Sequence, residues 1–222
     1  MKKILLFVSI AALLASCSSE PKFELEVNIN DNSSLMKKKF IVCQRIDGTV
    51  VFADTIKINK DHFLMEIPYK GPALINIAIP ESNVKEVMMA AEEGRVQLDI
   101  EGAQSRIGGS MLNDRLQSFY QGNDSVSLLF QQLEKDYEIQ NQVDPTLRSK
   151  KEYQQKDKEL RQRRSQLLIE NTDRVVAFIK ENVDNPVGEY YFRINYINFP
   201  RERKLELFDF ATDKLKREFR LQ

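Results

Sequence analysis

The chain has 222 residues, with 33 Lys and Arg balanced by 33 Asp and Glu. That balance gives no general attraction to nucleic acid or to an anionic surface, and the length suits one large domain or two small ones. Two cysteines, one histidine and no tryptophan leave too few ligands for a structural zinc site, and no Cys-x-x-Cys occurs for thiol-disulfide exchange.

The first element is a secretory signal. Met1-Lys2-Lys3 is followed by the uncharged run Ile4 to Leu14 and then by Ala15-Ser16-Cys17. A basic start, an apolar stretch of about ten residues and small residues before a cut site are its three parts. The run is too short to cross a membrane as a helix, which takes about 20 apolar residues. Leu14-Ala15-Ser16-Cys17 resembles the bacterial lipobox, in which the cysteine is acylated and becomes the first residue of the mature chain. Residues 1–16 are therefore read as the signal, Cys17 as a palmitate-bearing membrane tether, and 17–22 as the linker. Several acyl chains hold a protein on a membrane far better than one does. Ser18 follows the cysteine where an aspartate would retain a Gram-negative lipoprotein in the inner membrane. By resemblance the expected site is the outer membrane, on its periplasmic or surface face. Removal of 1–16 takes Lys2 and Lys3 and leaves 31 basic against 33 acidic side chains.

Strand signals follow, over residues 23–108. "FELEVNIN" alternates Phe23, Leu25, Val27 and Ile29 with polar residues, the period of a strand with one buried face. "KFIVCQRI" and "TVVFADTIKI" flank Asp47-Gly48, a hairpin turn signal. Asn59-Lys60-Asp61 leads into "HFLMEIP", Gly71-Pro72 into "ALINIAIP", and Glu93-Gly94 separates "VKEVMMAA" from "RVQLDI". About seven short strands at this spacing predict an antiparallel β-sandwich or partly open barrel. Cys43, alone in its strand, is expected to be a packed and inert thiol.

Residues 109–222 change to helical periodicity, so the fold class is α+β. Leu116, Phe119, Tyr120, Val126, Leu129, Phe130, Leu133 and Tyr137 recur at three- and four-residue steps. Asp144-Pro145 breaks that helix. In the polar helix that follows, Tyr153, Leu160 and Leu167 lie seven apart, a thin stripe that fits an antiparallel helical hairpin. Asn185-Pro186 reads as a helix start with proline at its first position. Phe199-Pro200 starts another, amphipathic through Leu215. Residues 148–165 hold eight basic and three acidic side chains. They read as a solvated helix with i to i+4 ion pairs such as Glu152–Lys156, rather than as a binding patch.

Several segments, in this order, resemble the domain of unknown function 4369. They are "FADTIKINKDHFLMEIP", "AAEEGRVQLDI", "GGSMLNDRLQSFY" and "FIKENVDNPVGEYYF". In many Gram-negative envelope lipoproteins that β-rich module precedes a helical stretch and then a thioredoxin-like domain of the TlpA/ResA type. Here no Cys-x-x-Cys is present, so the resemblance carries over no redox activity. Asn113 and Asp114 of the third segment are read as a helix cap where sheet gives way to helix.

No catalytic constellation stands out. His62, the only histidine, is read as a solvated turn residue, although a Ser-His-Asp or Cys-His site would have to use it. No catalytic residue, cofactor or metal ligand is expected. The favoured reading is a non-catalytic cell-envelope lipoprotein, a binding or scaffold module whose partner or ligand the sequence does not identify. An envelope protein, a thioredoxin-like one among them, is one candidate partner. One alternative is an accessory subunit of a thioredoxin-like thiol-disulfide system. The other is an enzyme with a carboxylate pair, for which two carboxylates about 5 to 10 Å apart would be the mark.

Overall fold

Two four-stranded sheets stack face to face in the computed structural model, which describes residues 22–30, 33–142, 146 and 150–219. The signal, Cys17 and the Asp144-Pro145 break lie outside the described residues. The strands are β1 Lys22–Asn30, β2 Lys39–Ile46, β3 Thr49–Lys57, β4 His62–Pro68, β5 Ala73–Ala78, β6 Val87–Ala91, β7 Gly94–Glu101 and β8 Gln104–Gly108. One sheet has the order β4-β1-β7-β8 and the other β3-β2-β5-β6, so the sandwich is not closed into a barrel. All pairings are antiparallel except β1 with β7, which run parallel from Phe23 opposite Gly94 to Asn30 opposite Glu101.

The alternation read in the sequence is the alternation that packs. Phe23, Leu25, Val27 and Ile29 of β1 meet Val96, Leu98 and Ile100 of β7 and the facing Phe40, Val42, Ile75 and Ile77 in one core. The β2–β3 turn has Asp47 and Gly48 both at positive φ, 50° and 79°. That is the two-residue hairpin geometry whose twist matches the strands it joins.

Strand β2 corrects one expectation. Its inward residues are Phe40, Val42 and Gln44, so Cys43 points outward and is half-buried, level with Ala53 of β3 and Asn76 of β5. The inward place falls to Gln44, which is fully buried and whose carboxamide makes no hydrogen bond among the described residues.

Five helices follow: α1 Met111–Asn141, α2 Lys151–Asn182, α3 Pro186–Asn195, α4 Arg201–Phe210 and α5 Asp213–Glu218. Asn185 caps α3, its Oδ1 accepting from Val187 N (3.0 Å) and Gly188 N (3.2 Å), with Pro186 in the first turn as expected. The last amphipathic stretch is two helices rather than one. Thr212 caps the second by accepting from Leu215 N, and the chain is extended at Ala211.

Helix α1 begins by sealing one flank of the sandwich. Fully buried Asn113 accepts from Ala90 N (2.8 Å) and donates to Ala90 O (3.0 Å), as a neighbouring strand would. One turn on, Gln117 accepts from Ile107 N of β8 at 2.8 Å. Further along, Tyr120 donates to Met88 O of β6 at 2.8 Å. One helix face thus satisfies backbone groups of two sheet edges, a standard protection of strands that would otherwise pair with another chain. The sequence reading of Asn113 as a cap is refined accordingly. Ser110 is the cap, accepting from Asn113 N, and it also donates to Glu92.

Where α1, α2 and α3 meet, Phe119 stacks on Phe178 with ring centres 4.0 Å apart, and Tyr191 stands edge-on to both. The Arg174 guanidinium lies 4.7 Å above the Phe119 ring and donates to Phe119 O and Asn171 Oδ1. Burial pushes the Tyr191 hydroxyl up to about 12 and the Tyr120 hydroxyl higher still. These groups fold as neutral phenols, so the stability they support is intact below pH ~10 and is lost as pH rises toward 12 and beyond. We expect a phenolate absorbance titration to show a delayed class of tyrosines that ionises only with unfolding. Tyr120→Phe should shrink that class and flatten the alkaline loss of stability. An ordinary single titration of all seven tyrosines would contradict this packing.

Candidate functional site: the groove of the helical arm

Past that aromatic base, α1 and α2 run on as an antiparallel pair for about 30 Å, at 1.5 Å per residue. The predicted stripe holds them together. Leu160 and Leu167 are buried with Leu133, while Tyr153 donates to Gln140 O (2.8 Å) and accepts at its own carbonyl from Gln140 Nε2 (3.2 Å). The hairpin expected from the seven-residue spacing is therefore formed.

A groove runs between the two helices. Leu133 forms its floor with half-buried Phe130 and Tyr137. Glu134, Glu138 and Asn141 of α1 make one wall; Arg161, Arg164 and Ser165 of α2 make the other. Arg161 is held by Asp157 at 2.9 Å, and Arg163 reaches Asp136 at 3.6 Å on α1. Glu134, Glu138 and Arg164 make no ion pair among the described residues. The groove therefore presents Glu134 and Glu138, unneutralised, opposite the unneutralised Arg164, over an apolar floor. Among the described residues the Glu152–Lys156 pair expected on α2 is not formed; the i to i+4 ion pair there is Asp157–Arg161. The basic run is largely exposed and carries one i to i+4 ion pair, as expected, and its Arg164 also lines the groove, which spacing alone did not reveal. Only the antiparallel return of the chain sets Arg164 beside Glu134.

The other sequence candidates stand apart from this groove. His62 begins β4, its ring 56% exposed, with Nε2 3.1 Å from Glu26 Oε1. Hydrogen bonds from Gln97 and then His62 hold the Glu26 carboxyl below the usual range. Arg95 adds ion pairs to Glu24 (2.7 Å) and Glu26 (3.7 Å), so the outer face of that sheet is a ladder of paired charges. Cys43 lies on the outer face of the other sheet. Among the described residues no three His, Cys, Asp or Glu side chains gather as metal ligands, and no helix is long and apolar enough to cross a membrane.

Residues 23–116, from β1 through the sealing turn of α1, match the family model of a domain of unknown function, DUF4369. That stretch, less than half of the chain, is similar to the DUF4369 domain. Residues 1–18 match the prokaryotic membrane lipoprotein lipid attachment site, and the one cysteine within them is Cys17. The chain is thus a lipid-anchored protein of the bacterial envelope. No curated protein and no solved structure matches it. The DUF4369 match ends at Leu116, so Ser110 and Asn113 fall within the matched stretch and the grooved arm falls beyond it.

Proposed function

We propose that this protein is a non-catalytic scaffold of the cell envelope, in which Cys17 bears the lipid, the DUF4369 domain is a rigid base and the arm binds a protein partner. The observation that carries this reading is the groove, with Glu134 and Glu138 facing Arg164 across an apolar floor and none of the three neutralised. Unmatched charges of both signs at fixed positions select a partner and its orientation more than they add raw affinity. A small anion would meet the acidic wall, and nucleic acid would be repelled by it. A protein surface can answer both walls at once. Ser18 after the anchor cysteine favours the outer membrane.

The test is cross-linking of the full lipidated protein in its own envelope, with a photo-reactive residue at Ser165. A defined protein adduct is expected, lost in Arg164→Glu and lost also from the membrane fraction in Cys17→Ala, which should take no palmitate label. A thioredoxin-like lipoprotein in the adduct would turn the scaffold into an accessory of a thiol system. An absence of any groove-dependent adduct, or reproducible hydrolytic turnover by the purified protein, would refute the proposal.

A further inference from the structure

We infer that the partner seated in this groove is a second copy of the same chain, related by a two-fold axis parallel to the arm; this rests on the binding reading above. The levels of the charges carry the inference. Asp136 meets Arg163, and Gln140 meets Tyr153, so Glu134 stands level with Arg161, and Glu138 with Lys158, to within one helical turn. Lys158, Arg161 and Ser165 follow at three- and four-residue steps and share a face of α2. The groove thus has an acidic wall and a basic wall at the same height.

A two-fold axis along the arm keeps heights unchanged and exchanges the walls. It lays α1 of one copy over α2 of the other, so that Glu134 and Glu138 face Lys158, Arg161 and Arg164 of the second copy, twice over. A two-fold axis across the arm would instead lay α1 on α1 and bring the acidic walls together, which costs affinity. Such self-complementarity of one patch is what a closed dimer requires. The product is a four-helix bundle with the half-buried rings of Phe130 and Tyr137 in its seam, and with Leu168, 49% exposed in the single chain, beside them. The same axis sets both sandwiches side by side at one end of the bundle, so that both lipid tethers reach one membrane.

The experiment uses full-length lipidated protein in detergent, its mass followed by light scattering across a dilution series, with circular dichroism as the check on folding. The wild type is expected to dimerise. Glu134→Lys with Glu138→Lys should weaken the dimer about tenfold or more, as should Arg161→Glu with Arg164→Glu. The four substitutions together should restore it, because the two-fold then pairs the exchanged charges again. Co-expressed copies with different tags, one Glu134→Cys and the other Arg161→Cys in a Cys43→Ala background, should form a disulfide between tags. A protein monomeric at every concentration overturns self-pairing, as does a dimer indifferent to wall reversal or unrestored by the fourfold exchange. A monomer that still yields a groove-dependent adduct with a different envelope protein would overturn this inference alone and leave the scaffold reading standing.

Discussion

Gly188→Ala is expected to lower the thermal midpoint by roughly 6 to 12 °C, the consequence of about 3 kcal/mol of overpacking in a chain of this size. Gly188 is buried in the first turn of α3, where the chain doubles back from α2. A methyl group there would overlap the Asn182 carbonyl and stand 2.7 Å from Val183 N, both backbone. Neither can yield without moving the turn. That turn is fixed by Asn182 donating to Phe178 O (2.8 Å), Asn185 donating to Asn182 Oδ1 (3.2 Å) and the Asn185 cap. Displacing α3 also loosens Phe192, Tyr196 and Tyr191, through which the helices pack on the sandwich. Gly122→Ala is the control. Its added methyl would meet only the tip of the Arg174 side chain, at 2.8 Å, and a side-chain tip can swing aside. Equal midpoints for the two variants would refute the packing of α3 described here.

Asn113→Leu is expected to cost about 2 to 6 kcal/mol in denaturant unfolding, because two buried backbone groups of Ala90 each lose their partner at about 1 to 3 kcal/mol. The side chain is nearly the right size, so the loss comes from orphaned polar groups and not from a cavity. Exchange of the Ala90 amide should accelerate beyond that of its neighbours in β6. Asn113→Asp would keep the acceptor for Ala90 N but turn a second oxygen toward Ala90 O and the Glu92 carboxylate, now 3.5 Å from the amide nitrogen. It too should destabilise at neutral pH. An unchanged unfolding midpoint in the leucine variant would mean that α1 does not complete the edge of β6.

The sandwich was legible where one face of a strand is apolar and the other polar, as in β1, β5 and β7. It was not legible where alternation fails. "KFIVCQRI" is apolar at consecutive positions, so its phase is set by its partners β3 and β5, and Gln44 rather than Cys43 goes inward. Strand β8, "QSRIG", buries only Ile107 and leaves no pattern to read. The parallel β1–β7 pair joins segments some seventy residues apart, a contact that local pattern does not encode. Ala211-Thr212-Asp213 carries a cap signal inside an amphipathic run, and the cap won over continuation of the helix. The Tyr153, Leu160 and Leu167 stripe announced the hairpin. It did not announce the groove, because the walls come from helices whose relative rotation depends on packing.

The place of β1 has a mechanical consequence. Lys22 opens β1 five residues after the anchor cysteine, and β1 lies between β4 and β7 in the middle of its sheet. A pull on Lys22 along the axis of β1 loads that strand lengthwise. Its ladder bonds to β4 lie across the pull, and both ladders resist together instead of opening one bond at a time.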